Sequence, residues 1–149
     1  MDATIPKAEA ISVTLPVNCA LISTAQQKKV SFKTRRIFTN KRVAAGMRVI
    51  ELLARPHSAR IIRAFPHGTP VSVEATFLYE YPKGTPQKRL LDRTPLPQGA
   101  DLDNRWKAVG DALTAAGWWQ DDRNITTLIL RKRRTTTTPR IEITIAADK

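Results

Sequence analysis

Five acidic side chains lie close together in residues 100–122, ADLDNRWKAVGDALTAAGWWQDD, although the whole 149-residue protein has a formal net charge of +12. Two carboxylates about 4 Å apart repel each other by roughly 4 kcal/mol at an effective dielectric constant of about 20, so a cluster of this kind favours a bound cation. Mg²⁺ binds one or two carboxylates and takes its other ligands from water or substrate phosphates. The sequence therefore indicates a metal site within the cluster formed by Asp101, Asp103, Asp111, Asp121 and Asp122.

The aspartates of this cluster include two pairs separated by a predicted helix. Asp101 and Asp103 stand on either side of a leucine where the helical period begins, so in an extended chain their side chains point the same way and can share one ion. In the alternative interpretation Asp103 is only the N-cap of the helix, because Asp is common at that position. Asp121 and Asp122 follow the helix, whose length of about 20 Å means that they reach the first pair only if the chain folds back.

Lys107 is the candidate basic group of the site. It lies four residues after Asp103, one helical turn further on, where it can offset a negative charge or stabilise the charge that develops on a phosphate in the transition state. The alternative is an exposed helix lysine paired with Asp111 four residues later, and spacing alone favours this second interpretation.

The excess of positive charge predicts a polyanionic partner, with nucleic acid as the leading candidate. The protein has 25 Lys and Arg against 13 Asp and Glu, and each phosphate that a cation neutralises releases counterions and strengthens binding. The alternative is a solvated surface whose charge only maintains solubility. The basic residues expected to contact DNA are Lys28, Lys29, Lys33, Arg35, Arg36, Lys41, Arg42, Arg105, Arg131, Lys132, Arg133 and Arg134.

The length and composition of the chain predict one domain over residues 1–149. A hydrophobic content of 42% is enough to fill one core. No segment has the pattern of a signal peptide or the length of a membrane span, so we expect a cytoplasmic protein with no membrane contact. The single cysteine, Cys19, cannot form an internal disulfide and is expected to be buried.

The pattern of apolar residues predicts an α+β fold, with a mixed or antiparallel sheet and two main helices packed on it. Alternation with a period of two indicates strands, and apolar residues three and four apart indicate helices. We expect Pro56 to end the first helix, Gly117 to cap the second, and the turn TTTTP to join the last two strands in a C-terminal hairpin. The predicted elements are strand 11–15, a basic extended segment 28–40, helix 40–55, strand 71–81, a long loop 82–100, helix 103–116, and strands 125–130 and 140–146.

The motif "DLDN", then Lys107, then "DAL", "AGWW" and "DD" resembles the RusA family of Holliday-junction resolvases. The resemblance implies a compact α/β domain that works as a homodimer, with Mg²⁺ or Mn²⁺ at each active site. It implies that Asp101, Asp103 and Asp122 are the metal-binding catalytic aspartates and that Lys107 is the catalytic lysine. The expected function is to resolve four-way DNA junctions by paired symmetric nicks, in DNA recombination and repair.

The chain departs from the family pattern directly before the first aspartate. The family often has an arginine there, where this chain has Ala100, and Arg105 and Arg93 are the candidates to replace it. Two other functions fit parts of the sequence. One is a DNA-binding module without catalysis, in which the aspartates are caps and surface charges. The other is a nucleotide-sugar transferase with an Asp-x-Asp motif, for which the chain is short and lacks a glycine-rich nucleotide-binding turn.

Overall fold

The computed structural model describes residues 10–21, 28–31, 36–39, 41–99 and 101–149. Single turns of 3₁₀ helix lie at Cys19–Leu21, Gln87–Arg89 and Asp122–Asn124. The longer elements are β1 (Ala10–Leu15), β2 (Lys28–Ser31), β3 (Arg36–Thr39), α1 (Lys41–Ala64), β4 (Val71–Glu80), β5 (Thr94–Pro95), α2 (Leu102–Ala115), β6 (Ile125–Thr135) and β7 (Arg140–Ala147).

The main sheet has five strands in the order β1-β7-β4-β6-β5. β6 runs parallel to β4, whereas the other neighbouring strands are antiparallel, so the sheet is mixed. Both helices cover one face of this sheet, where their buried residues and those of the strands form one hydrophobic cluster. The structure confirms the predicted α+β fold with a mixed sheet and two helices.

The alternation predicted for the central strands agrees with their burial. Inward-facing residues of β4 lie opposite inward-facing residues of β7 in the register, and none of them is more than 1% exposed: Val73, Ala75, Phe77, Ile141, Ile143 and Ile145. Because β4 and β6 are parallel, the chain between them must return to the opposite end of the sheet, and α2 makes this return. The N-terminus of α2 therefore lies near the end of the sheet where β4 and β6 finish.

The predicted C-terminal hairpin is wrong, because β4 lies between β6 and β7. β6 ends at Thr135, which is opposite Glu80, and β7 begins at Arg140, which is opposite Leu78. Residues 136–139 therefore pass over the end of β4 and are not a tight turn between paired strands. The carboxylate of Asp92 holds the start of this crossing by accepting hydrogen bonds from Thr135 Oγ1 (2.9 Å) and from the next backbone N–H (3.1 Å).

The predicted end of the first helix at Pro56 is also wrong, because α1 continues through Pro56 to Ala64. A proline inside a helix removes one backbone hydrogen bond. The helix has buried residues on both sides of it, Ile50 and Ala54 before the proline and Ile61 after it. Since both halves of α1 are anchored in the same core, packing outweighs the lost hydrogen bond.

The basic extended segment forms two strands. β2 and β3 pair antiparallel in a two-stranded sheet of their own. Lys33 and Arg35, between these strands, lie outside the described residues. In the part of the chain that the structure describes, no helix has the length and apolar character needed to cross a bilayer.

Candidate active site

The first turn of α2 carries two carboxylates that bind no other group of the described protein. Asp101 occupies the N-cap position with extended backbone angles (φ −60°, ψ 146°). Its carbonyl oxygen accepts a hydrogen bond from the backbone N–H of Arg105 (3.0 Å), but its carboxylate caps no N–H. Asp103 is inside the first turn, so its interpretation as the N-cap is wrong. Among the residues that the structure describes, neither carboxylate has a hydrogen-bond or ion-pair partner.

One face of α2 is packed into the core, and the opposite face is in solvent. Gly110 lets the ring of Trp106 lie close to the helix, because a Cβ at Gly110 would come within 3.1 Å of that ring. Asp103, Lys107 and Asp111 are exposed and follow one another at intervals of four, which places them on one side of the helix. The buried residues of α2 are Arg105, Ala108, Val109, Gly110, Ala112 and Leu113.

Lys107 lies on this exposed face, one turn after Asp103. The alternative interpretation, an ion pair between Lys107 and Asp111, is wrong: Lys107 pairs with no acid in the described part of the chain. Its ammonium group is therefore available to an external anion that approaches the start of the helix.

The C-terminal end of α2 is closed by backbone and tryptophan contacts. Gly117 has φ 87°, and its N–H donates to Thr114 O (3.0 Å), while Trp118 N–H donates to Leu113 O (3.2 Å). This is the Schellman arrangement, which confirms the predicted cap at Gly117. The indole N–H of Trp118 donates to Ala54 O of α1 (2.9 Å), and this bond fixes the position of α2 against α1.

Asp121 and Asp122 have different environments although they are adjacent. The carboxylate of Asp121 accepts a hydrogen bond from Arg123 N–H (2.9 Å), while Asp121 N–H donates to Asn124 Oδ1 (3.2 Å), which forms a capping box. The backbone and guanidinium of Arg123 lower the pKa of Asp121 to about 2. The pKa of Asp122 is raised, first by the hydrogen bond it shares with Asp121, then by burial and by the negative charges of Asp121 and Asp111. Asp121 is therefore a structural cap, and Asp122 carries the uncompensated charge.

The structure does not gather the three predicted metal-binding aspartates within one chain. In the described residues no three side chains of His, Cys, Asp or Glu stand close enough to hold one metal ion. Asp101 and Asp103 lie at the N-terminus of α2, whereas Asp122 feels the charge of Asp111 in the second half of the helix. Among the described residues Asp122 therefore stands in no three-carboxylate cluster, and its part in a joint site with Asp101 and Asp103 stays a prediction.

The groups at the start of α2 have the chemistry that a hard cation prefers. Beside the two free carboxylates, Asn104 Oδ1 is buried and has no hydrogen-bond partner among the described atoms. Mg²⁺ binds oxygen atoms and needs only one or two carboxylates when water and phosphate complete its shell. Asp101 and Asp103, with an amide oxygen next to them in the chain, therefore fit Mg²⁺ or Mn²⁺.

A comparison with protein-family models identifies the family of the protein that carries this site. The model of the family described as endodeoxyribonuclease RusA matches residues 20–146, most of the chain. The protein belongs to the RusA family. This family comprises Holliday-junction resolvase nucleases, and the matched residues include all four predicted catalytic side chains. No curated protein sequence matches the chain closely enough to count as a relative.

Arg105 differs from the expectation for a DNA contact in this RusA-family chain. It is 5% exposed and lies near Cys19 and Tyr79. Burial raises the pKa of the Cys19 thiol to about 12, and the charge of Arg105 acts in the opposite direction. A guanidinium buried in this way is not on the surface that meets DNA, so the prediction for Arg105 is wrong. The signal that was missed is helical spacing, because position 105 precedes buried Ala108 and Val109 by three and four residues.

Arg93, the other candidate to replace the arginine that this RusA-family chain lacks, is held elsewhere. Its guanidinium forms two hydrogen bonds with the carboxylate of Glu142 (2.9 and 3.0 Å). Arg140 donates to the same carboxylate (3.0 Å). These contacts lower the pKa of Glu142, with Arg93 as the first cause, so Arg93 belongs to an ion-pair network on the sheet.

Arg131 and Arg133 of the basic run in β6 are opposite the face that carries the helices. Arg131 forms an ion pair with Glu74 of β4. Arg133 Nη1 donates to the backbone oxygen of Lys132 (2.8 Å). Part of the charge of this run is therefore balanced inside the protein.

Lys132 and Arg134 point to the other face of β6 and hold neighbouring segments. Lys132 Nζ donates to Gln98 O (2.9 Å), and Arg134 Nη1 donates to Glu80 O (2.8 Å). The guanidinium of Arg134 also lies 5.9 Å from the centre of the Tyr81 ring. All four side chains of the run are partly exposed, and their contact with DNA stays a prediction.

The basic residues of β2, β3 and the start of α1 form the N-terminal basic tract. Lys28 and Lys29 are in β2, Arg36 is in β3, and Lys41 and Arg42 begin α1. DNA contact by these residues also stays a prediction.

Proposed function

We propose that this RusA-family protein is a Mg²⁺-dependent endodeoxyribonuclease that resolves four-way DNA junctions. The observation that carries the proposal is at the start of α2, where two carboxylates and one ammonium group face solvent and have no partner in the described part of the chain. Charged groups left in this state on a well-packed helix are available for a ligand. A cation bound by the carboxylates, with a phosphate beside Lys107, satisfies all three.

Asp101 and Asp103 hold the metal ion in this proposal, and Mn²⁺ can replace Mg²⁺ because both prefer oxygen ligands. A metal ion held by these two carboxylates would supply Lewis-acid chemistry for phosphodiester hydrolysis. Asp122 is the third carboxylate of the site by its place in the family motif, and this assignment rests on the motif rather than on a contact.

Lys107 stabilises charge that develops on the phosphate. Its position one turn after Asp103 places the ammonium group on the same side of α2 as the carboxylate. A fixed cation lowers the barrier when it binds the transition state more strongly than the ground state. Since Lys107 has no acid partner in the described chain, its charge is not already neutralised.

The basic tracts at residues 28–42 and 131–134 bind the arms of the junction through phosphate contacts, which position a protein on DNA without reading its sequence. We propose a homodimer, because a two-fold protein supplies two identical sites for paired symmetric nicks. Light scattering should therefore give the mass of a dimer, free or on DNA, and a strict monomer in both states contradicts this part. The resulting role is junction resolution in recombination and repair in the cytoplasm.

A labelled synthetic junction with a mobile core tests the proposal. With Mg²⁺ we expect nicks at symmetric positions on two opposite strands, and with EDTA we expect binding without cleavage. Asp121→Asn is the matched control, because it removes an aspartate of the same cluster whose carboxylate is a structural cap. Binding without any nick, at every Mg²⁺ and Mn²⁺ concentration, would instead identify a DNA-binding module without catalysis.

A further inference from the structure

The second half of the loop between β4 and α2 is hydrogen-bonded to β6. Arg93 N–H donates to Arg134 O (2.7 Å), and Leu96 N–H donates to Lys132 O (3.3 Å). Leu96 is also 8% exposed and belongs to the hydrophobic cluster. This part of the loop is therefore held against the sheet by backbone hydrogen bonds and by one buried side chain.

Lys132 adds a contact nearer to the proposed active site. Its ammonium group donates to the carbonyl oxygen of Gln98 (2.9 Å). Gly99 follows with φ 87°, a conformation that glycine adopts without steric cost. Two residues separate Gln98 from Asp101, and one of them is this glycine. The contact with Lys132 thus holds the chain directly before Gly99, a residue whose backbone is permissive.

We propose that Lys132 is a positioning residue that fixes the carboxylate of Asp101 through the backbone of Gln98. The inference rests on the proposed metal site at Asp101 and Asp103, and it gives Lys132 a different role from phosphate binding. α2 is held by its buried face and binds Asp101 on one side, through the hydrogen bond from Arg105 N–H to Asp101 O, so that the loop is left to order the chain on the other side of Asp101. A metal site needs its ligands held in one geometry, and ordering the segment in advance lowers the entropy lost on binding.

Three variants separate this role from simple loss of charge. Lys132→Met keeps most of the side-chain length and removes the donor, whereas Lys132→Arg keeps a donor and should restore part of the effect. Lys88→Met is the charge control, because Lys88 is exposed in the same loop and in the described chain has no hydrogen bond or ion pair. Each variant is first compared with the parent by thermal unfolding, to establish that the fold is kept.

Hydrogen exchange of the metal-free protein measures the positioning directly. We expect faster exchange in the peptide that covers residues 97–103 in Lys132→Met, an intermediate rate in Lys132→Arg, and the parent rate in Lys88→Met. Unchanged exchange in Lys132→Met overturns the inference, whatever the metal site does. This measurement does not depend on cleavage, so it stays decisive even if the proposed function fails.

Mn²⁺ binding without DNA, followed by electron paramagnetic resonance, links the segment to the metal site. Loss of one partly exposed hydrogen bond corresponds to about fivefold weaker Mn²⁺ binding in Lys132→Met. Parent affinity in Lys132→Met, or an equal loss in Lys88→Met, overturns the proposed role. If the parent itself binds no Mn²⁺, the proposed function fails at its metal site, and the exchange experiment alone then decides whether Lys132 holds the segment.

Discussion

The two ends of α2 use acidic residues in opposite ways. At the C-terminal end, Asp121 is a structural cap, with its carboxylate bound to the backbone and guanidinium of Arg123. At the N-terminal end, the carboxylates of Asp101 and Asp103 are exposed and bind nothing in the described chain. The hydrogen bonds of Asp121 give its carboxylate a role in the fold, whereas the carboxylates of Asp101 and Asp103 form no such bonds in the described chain. The difference separates residues needed for folding from residues that we assign to function.

Helix electrostatics explains why the N-terminal end tolerates two carboxylates that have no partner among the described residues. The partial positive charge at a helix N-terminus favours nearby anions by about 0.3–1 kcal/mol for an exposed group. The two carboxylates therefore occupy this position at modest cost to stability. At the other end of α2 this help is absent, and the carboxylate of Asp122, which lies near Asp121 and Asp111, has a raised pKa.

The largest effect should come from Asp103→Asn, which keeps the size of the side chain and removes the charge. We expect junction cleavage to fall by about 10²–10³-fold, the scale on which loss of one electrostatic contact to the transition state is felt. Binding should be as tight as in the parent or tighter, most clearly at low salt, because an acid facing phosphates has been removed. Single-turnover cleavage and a gel-shift titration measure the two quantities. A fully active Asp103→Asn variant would contradict the proposed role of Asp103 as a metal ligand.

Lys107→Ala should have the next largest effect. Cleavage should fall by about a hundredfold or more while junction affinity changes little, because Lys107 acts on transition-state charge rather than on docking. The matched control is Lys88→Ala, which removes an exposed lysine away from α2. A wild-type cleavage rate for Lys107→Ala would identify Lys107 as an ordinary surface lysine. Only the carboxylates would then remain as proposed catalytic residues.

Gly117→Ala tests the closed end of α2 through stability rather than activity. No atom lies within 4 Å of the added Cβ, so the cost comes from the left-handed backbone, φ 87°, and should be about 1 kcal/mol. Urea unfolding measures this loss, and cleavage by the folded protein should be unchanged. A large loss of cleavage without a loss of stability would show that the two ends of the helix are not functionally distinct.

The smallest effect concerns Asp121 and Asp122, whose pKa values move in opposite directions. Because the folded-state pKa of Asp121 is lowered to about 2, its ionised form stabilises the fold above the unfolded pKa, about 3.9, and this contribution is lost as pH falls towards 2. The raised pKa of Asp122 has the reverse sign, so its ionisation at neutral pH destabilises.

Melting temperatures at pH 7 and pH 3 measure this difference. Asp121→Asn should lower Tm at pH 7, and Asp122→Asn should raise it slightly, with both differences smaller at pH 3. If both variants shift Tm in the same direction at pH 7, the two side chains do not have the opposite environments described for them.

Local sequence patterns correctly predicted the elements whose conformation depends mainly on residues nearby in the chain. The alternation in β4 and β7 and the cap at Gly117 follow from periodicity and from backbone preference, and both agree with the structure. Pro56 and the turn TTTTP are local signals that tertiary structure overrides. A well-packed core carries α1 through the proline, and the parallel pairing of β6 with β4 excludes the hairpin.

The candidate site was predictable in its residue types but not in its arrangement. The motif identified Asp101, Asp103 and Lys107, which the structure places on the exposed start of α2. Spacing could not show that Lys107 lacks an acidic partner in the described chain, because that depends on side-chain positions. Nor could it show whether Asp122 meets the first pair, which depends on how the chain leaves the helix. Arg105 was counted by its charge, although its spacing placed it on the buried face.

Mn²⁺ binding in the absence of DNA tests most directly whether the free end of α2 is a metal site. Electron paramagnetic resonance titrations compare the parent with Asp101→Asn, Asp103→Asn and Asp121→Asn. We predict that the first two variants lose most of the binding and that Asp121→Asn keeps the parent affinity, because its carboxylate is already committed to Arg123. Equal binding by all four proteins, or a loss confined to Asp121→Asn, would contradict the assignment of the metal site to the start of α2.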